Sequence, residues 1–112
     1  LAAPGRLTRR AEFLRAATQG RKALMPGVVV QALARADNGP ARLGFTVTRK
    51  IGNAVTRNRT RRRLKEAARL VLAKHPLSGV DLVLIGREAT RRRTFVTLQE
   101  DLWRALTKAG VP

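Results

Sequence analysis

Between Arg49 and Lys74 the chain carries ten basic residues and a single carboxylate, Glu66, a net +9 out of a formal +17 for all 112 residues. The run Arg57-Asn58-Arg59-Thr60-Arg61-Arg62-Arg63 continues into Leu64-Lys65-Glu66-Ala67-Ala68-Arg69, whose residue types favour a helix. Each guanidinium offers a planar fork of N–H donors that matches phosphate oxygens, and several of them at fixed positions on a rod would hold a polyanion. Nucleic acid is the ligand class this chemistry points to, with an anionic membrane surface as the other candidate. A solvated helix stabilised by its own ion pairs would need both signs of charge, which Glu66 alone does not supply. A second basic cluster, Arg87 with Arg91-Arg92-Arg93, reads as a loop that could extend the same footprint.

Residues suited to bond-breaking chemistry are sparse. There is no cysteine, which removes disulfides and thiolates, and the one histidine, His75, stands beside the helix-ending Pro76. The seven acidic residues, Glu12, Asp37, Glu66, Asp81, Glu88, Glu100 and Asp101, are scattered, whereas a two-metal nuclease site needs them clustered. The expectation is therefore no catalytic residue and no metal site on the protein. No apolar run approaches the ~18 residues of a membrane span, and Leu1-Ala2-Ala3-Pro4 is too short for a signal-peptide core. A soluble, cytoplasmic protein is expected, folded as one domain over residues 1–112 with an ordinary apolar content of 44%.

The elements that must position these residues follow from periodicity and turn chemistry. Residues 8–19 place Phe13, Leu14 and Ala17 at helical spacing and stop at Gly20. Residues 28–35 and 42–49 are rich in β-branched types, and Asp37-Asn38-Gly39-Pro40 between them predicts a hairpin. In the second of these strands Leu43, Phe45 and Val47 alternate with Arg42, Gly44, Thr46 and Thr48, so one face should be buried and the other polar and open. A helix is predicted from residue 53 or 56 to 74. Residues 80–85, apolar on both faces apart from Asp81, predict a central strand. Thr97 with Glu100 predicts the capped start of a last helix, with acidic residues in its first turn and Leu98, Leu102, Trp103 and Leu106 as its core stripe. The order helix, hairpin, helix, strand, helix indicates an α+β fold or a split βαβ sandwich, with helices on one sheet face and, by default, a right-handed crossover.

Placed at about 100° per residue, Leu64, Ala67, Ala68 and Val71 share one face of the long helix, and Arg57 and Arg61 continue that face toward its N-terminus. Unpaired arginines are costly to bury, so sheet and helix should part there into a basic groove flanked by Lys65 and Asn58. Arg59 and Arg63 point elsewhere, and Arg62 and Arg69 lie on a third side. Two anionic surfaces could thus be held at once.

The stretch Arg49-Lys50-Ile51-Gly52-Asn53-Ala54-Val55-Thr56-Arg57-Asn58-Arg59-Thr60-Arg61-Arg62 closely resembles the signature of the bacterial ribonuclease P protein subunit. Glu12-Phe13, Gln19-Gly20, Leu43-Gly44-Phe45-Thr46-Val47 and Val80-Asp81-Leu82-Val83 extend the resemblance over about residues 7–108. It implies an α-β-β-α-β-α sandwich, with one small extra strand possible, like ribosomal protein S5 domain 2 and with a left-handed βαβ crossover. It also implies a ribonucleoprotein endonuclease in which a catalytic RNA, with Mg2+ bound mainly by that RNA, removes the 5′ leader of precursor tRNA. The protein's partners would be the ribonuclease P RNA and the precursor tRNA, with no membrane and no need for a protein oligomer.

Carried over by motif, Arg49, Lys50, Asn53, Arg57, Asn58, Arg59, Arg61, Arg62, Arg63, Lys65 and Arg69 would bind RNA. Phe13, Ala17 and Gln31, with Arg57, Arg61 and Lys65, would form the leader cleft. Ala17 and Gln31 occupy positions where family members can present aromatic rings, and this chain is only 4% aromatic, so charge rather than base stacking should hold the leader. A ribosomal or other structural RNA-binding protein, or a DNA-binding domain using the long helix in a major groove, would share this charge and size.

Overall fold

The computed structural model describes residues 3–111, so Leu1, Ala2 and Pro112 lie outside the described residues, and with them half of the tetrad compared above with a signal-peptide core. In chain order the elements are β1 (Gly5–Arg6), α1 (Arg10–Gln19), β2 (Arg21–Met25), β3 (Val28–Ala34), β4 (Arg42–Val47), a 3-10 turn (Arg49–Ile51), α2 (Ala54–Lys74), β5 (Val80–Gly86), α3 (Glu88–Arg92) and α4 (Phe95–Lys108). The strands form one sheet in the order β1-β4-β5-β3-β2. β4 runs parallel to β1 and β5, while β3 is antiparallel to β5 and β2.

Alternation assigns each strand residue to a layer. Val28, Val30 and Ala32 of β3 and Val80, Leu82 and Leu84 of β5 join Leu64, Ala67, Ala68 and Val71 of α2 and Leu98, Leu102 and Leu106 of α4 in the main core. Full burial of each such leucine contributes roughly 1.5–3 kcal/mol. The opposite face is not open along its length, contrary to the expectation of helices on one side only. α1 lies there, burying Ala16 and packing Phe13 with Leu7 and Val83. Gly44 makes this possible, since a Cβ at that position would stand 2.5 Å from the Phe13 ring.

The predicted hairpin between residues 28–35 and 42–49 does not form. β5 inserts between the two strands, pairing with both along all its length on one side and from Asp81 to Gly86 on the other. The Asp37-Asn38-Gly39-Pro40 turn is real, with Asp37 Oδ1 accepting from Gly39 N at 2.9 Å. Its remaining groups bond to the approach to β5: Arg35 N donates to Gly79 O at 2.7 Å, Gly79 N donates to Gly39 O at 2.8 Å, and Pro40 bridges Ser78. The hairpin that does form joins β2 to β3 through Pro26-Gly27. β2 escapes a periodicity reading because Arg21-Lys22-Ala23-Leu24-Met25 has no β-branched residue; it is a strand because β3 offers it an edge.

Other boundaries shift for local reasons. α1 begins at Arg10 rather than residue 8, because Glu12 Oε1 turns back to accept from Thr8 N (3.0 Å) and Arg9 N (2.9 Å). α4 is capped by Thr94, whose Oγ1 accepts from Thr97 N at 3.2 Å, so Thr97 is not the cap and Glu100 and Asp101 lie beyond the first turn. Asp101 faces inward instead and accepts from Gly27 N at 2.9 Å, which ties α4 to the β2–β3 turn. Residues 88–92, read as loop, form α3.

The one acid in the central strand is buried at 2% exposure and bound from both neighbouring strands. Arg42 Nε and Nη2 donate to the two Asp81 oxygens at 2.8 and 2.7 Å, and Arg35 Nη1 donates at 2.8 Å. Burial raises the Asp81 pKa, but the hydrogen bonds from Arg42 and Arg35 outweigh it and hold the carboxyl below the ordinary aspartate value of 3.8. Its contribution to stability is therefore complete above the unfolded-state pKa and lost as pH falls through the depressed folded one. Asp81→Asn should destabilise the fold by about 3 kcal/mol at neutral pH. In denaturant titrations the gap between wild type and variant should narrow as pH drops below the ordinary aspartate value; a gap independent of pH would show that Asp81 is not ionised in the folded chain.

Candidate nucleic-acid interface

α2 is aimed by its entry. Ile51 is buried, Gly52 takes φ 149°, a backbone conformation side chains disfavour, and Asn53 Oδ1 then caps the helix by accepting from Thr56 N at 2.9 Å. From that start the helix turns Thr60 and Leu64 inward, leaves Arg57 and Arg61 half-buried, and exposes Asn58, Arg59, Arg62, Lys65 and Arg69, with Arg49, Lys50 and Asn53 exposed just before it. The burial of Thr60 in the middle of the arginine run sets this phase; its hydroxyl donates to Thr56 O at 2.8 Å and needs no water.

Among the described residues, Arg49, Lys50, Arg57, Arg59, Arg61, Arg62 and Lys65 form no ion pair with a carboxylate. Arg61 Nη1 donates to Asn58 Oδ1 at 3.0 Å, which steadies both side chains. Arg69 pairs with Glu66 at 2.5 Å and holds that carboxyl below its ordinary pKa. Arg63 differs from the others: its guanidinium donates to the main-chain carbonyls of Thr90 and Arg91 at 3.1 Å each and to that of Arg93, and lies 5.9 Å from the Phe95 ring centre. Much of its donor capacity is spent on holding the α3–α4 turn.

Lys65 extends over Phe45, 5.9 Å from its ring centre. Beside it a groove of about 680 Å³ runs between β4 and the second half of α2, walled by Leu43, Phe45, Leu72 and Leu77 with Arg6, Lys65 and Arg69 also lining it. This is not the groove expected from helical phase: Arg57, Asn58 and Arg61 do not line it, and it opens beside the second half of α2 rather than at its N-terminal end, with Lys65 common to both. Phe13, Ala17 and Gln31 belong to the other face. Phe13 is half-buried against Gly44, Ala17 is exposed on α1, and Gln31 is half-buried opposite Val83. The structure thus brings Phe13 and Gln31 onto one sheet face and Lys65 onto the other, with the sheet between them.

Sequence reasoning passed over Arg6, which lines the groove, and read Arg91 and Arg92 as loop residues that could extend the basic footprint; they stand on α3, which places them opposite the outer side of α2. The signal for α3 was Thr90 three residues after Arg87: its Oγ1 accepts from Arg87 N at 2.7 Å and closes the first turn. His75 closes α2 and stacks on Trp103 with ring centres 3.7 Å apart.

Comparison with known proteins agrees with this geometry. A sequence model of the family described as Ribonuclease P matches residues 1–110. The ribonuclease P protein component of Gluconacetobacter diazotrophicus is 65% identical over 106 residues, covering 95% of this chain and 91% of its own. That of Paramagnetospirillum magneticum is 45% identical over 111 residues, covering 94% and 82%. Among solved structures, the Staphylococcus aureus RNase P protein superposes with a TM-score of 0.79 at 27% identity over 97% of this chain and 98% of its own. The Thermotoga maritima protein gives 0.72 at 30% identity over 92% and 96%. In the α+β sandwich shared with these structures, α2 is the connection between β4 and the neighbouring parallel β5, the βαβ unit that the resemblance implied. This chain belongs to the ribonuclease P protein family.

Proposed function

We propose that this chain is the protein subunit of ribonuclease P, working in the cytoplasm with a catalytic RNA to remove the 5′ leader of precursor tRNA. The observation that carries the reading is the row of arginines on α2 without acidic partners, in a chain whose family is that of the ribonuclease P protein. Counter-ion release on binding RNA phosphates would relieve the self-repulsion that this row imposes on the free protein. Ribosomal or DNA-binding roles fit the charge but not the family.

Chemistry is assigned to the RNA. Among the described residues no three of His, Asp and Glu come together, and Glu12, Asp37, Asp81 and Asp101 are each held by arginine. These side chains do not fit a magnesium site of the protein's own, so the magnesium of the holoenzyme is assigned to the RNA as well. The protein's part is to hold RNA backbone along α2. The leader is assigned to the face around Phe13 and Gln31, where charge does the holding and base preference is weak.

Reconstitution tests the reading directly. The purified chain should cut nothing alone and should lower the magnesium requirement of a bacterial ribonuclease P RNA acting on precursor tRNA, which a ribosomal protein would not do. His75→Ala, Glu66→Gln and Glu100→Gln should leave single-turnover cleavage within about threefold of wild type; a loss of about a hundredfold in the chemical step at unchanged RNA affinity would place an acid or base on the protein.

Phosphate contacts should dominate affinity. In titrations against ribonuclease P RNA at several salt concentrations, Arg57→Ala and Arg61→Ala should each reduce the salt slope by about one unit. A slope unchanged in both, with native circular dichroism, would count against the arginine row as the binding surface. Phe13→Ala should cost about 3 kcal/mol in denaturant melts, because its ring is packed on Gly44, Leu7 and Val83. Loss of leader affinity with an unchanged melting curve would instead make Phe13 a stacking platform.

A further inference from the structure

On the side of α2 that faces α3 there is a second, smaller cavity of about 230 Å³, lined by Thr56, Arg59, Thr60, Arg63, Arg91 and Arg92. Four guanidinium groups around so small a space repel one another unless something negative joins them. Among the described residues the only carboxylate paired with any of the four is Glu88, which binds Arg91 at 3.1 Å and Arg92 at 3.2 Å through the same oxygen. Arg59 has no such partner, and Arg63 is oriented by main-chain carbonyls that leave its charge uncompensated. The walls are also fixed in place. Thr90 Oγ1 donates to Gly27 O at 2.5 Å and accepts from Arg87 N, so α3 is anchored to the β2–β3 turn before any ligand arrives.

We infer that this cavity is a phosphate site for the backbone of the ribonuclease P RNA, distinct from the leader surface, with Arg59, Arg91 and Arg92 as its mobile donors and Glu88 as the internal competitor that RNA displaces. The inference rests on the function proposed above and adds Arg91 and Arg92 to the interface. Folded RNA turns phosphates outward with its bases paired, so charge and hydroxyl donors suffice to hold it. The leader is assigned above to the face around Phe13 and Gln31, across the sheet from the core that α2 packs on, so this cavity is separate from it. Among the described residues no aromatic ring lines this cavity, whose walls are threonine and arginine. The cavity is therefore built for phosphate alone.

The test uses the full chain titrated with a bacterial ribonuclease P RNA over a range of salt, followed by the assembled holoenzymes titrated with precursor tRNA bearing or lacking its leader. Replacing both Arg91→Gln and Arg92→Gln should lower affinity for the ribonuclease P RNA about tenfold and reduce the salt slope by about one to two units. Glu88→Gln, which frees both arginines, should raise affinity about threefold. The affinity gained from the leader should be the same in every variant. Wild-type RNA affinity in the double variant would overturn this site while leaving the proposed function standing. A loss confined to the leader-bearing substrate would also overturn it, by giving the cavity to the leader. Failure of the wild-type chain itself to bind the RNA would bring down the proposed function and this site together. Should the double variant not fold, as judged by circular dichroism, Glu88→Gln decides: affinity equal to or below wild type overturns the site.

Discussion

Asp81 is the one charged residue in a strand that is otherwise buried on both faces, and its carboxylate ties four elements together. Arg35 reaches it from the end of β3 and Arg42 from β4, and Arg42 also binds Glu12 of α1 at 2.9 Å. Glu12 in turn accepts from the backbone of Arg9 and Thr8, bonds that hold its own carboxyl below the ordinary pKa. One network thus fixes α1, seats β5 between two strands that are neighbours in sequence, and sets the sheet register Arg42 to Asp81. A buried charge is tolerable only when paired this fully. Because β4 and β5 are the strands that α2 connects, the placement of the arginine helix depends on the same clamp.

The distribution of acids explains the distribution of function. Glu12, Asp37, Asp81 and Asp101 neutralise arginines that serve the framework, on the sheet and at the β2–β3 turn. Glu66 on α2 and Glu88 on the adjoining α3 are each held by arginines of their own helix. The helix therefore keeps most of its charge for a partner, at a cost in self-repulsion that binding would relieve. Among the described residues no three acids come together, and four of the seven are engaged with framework arginines. Arg63 marks the boundary between the two uses, since it lies within the basic motif yet spends its donors on the chain's own carbonyls.

Much of this was legible in the sequence because it depends on local physics. The span and phase of α2 follow from the Asn53 cap, the apolar period through Leu64, Ala67, Ala68 and Val71, and the stop before Pro76, all within reach of a few residues. The run from Val80 reads as a central strand because burial on both faces demands continuous apolar residues. The excess of cations over acids, and hence the class of ligand, needs no structure at all. What sequence could not supply was long-range pairing: that β5 would part the expected hairpin, that Arg21 to Met25 would become a strand by being offered an edge, and that α1 would cover the second sheet face through Gly44. Those outcomes turn on hydrogen bonds and close approaches between residues far apart in the chain, about which periodicity is silent. So the sequence by itself determined the helix, its charge and its family, while only the tertiary structure decided which side of the sheet each site residue occupies and which arginines remain free, because partners for a guanidinium are chosen by proximity in space.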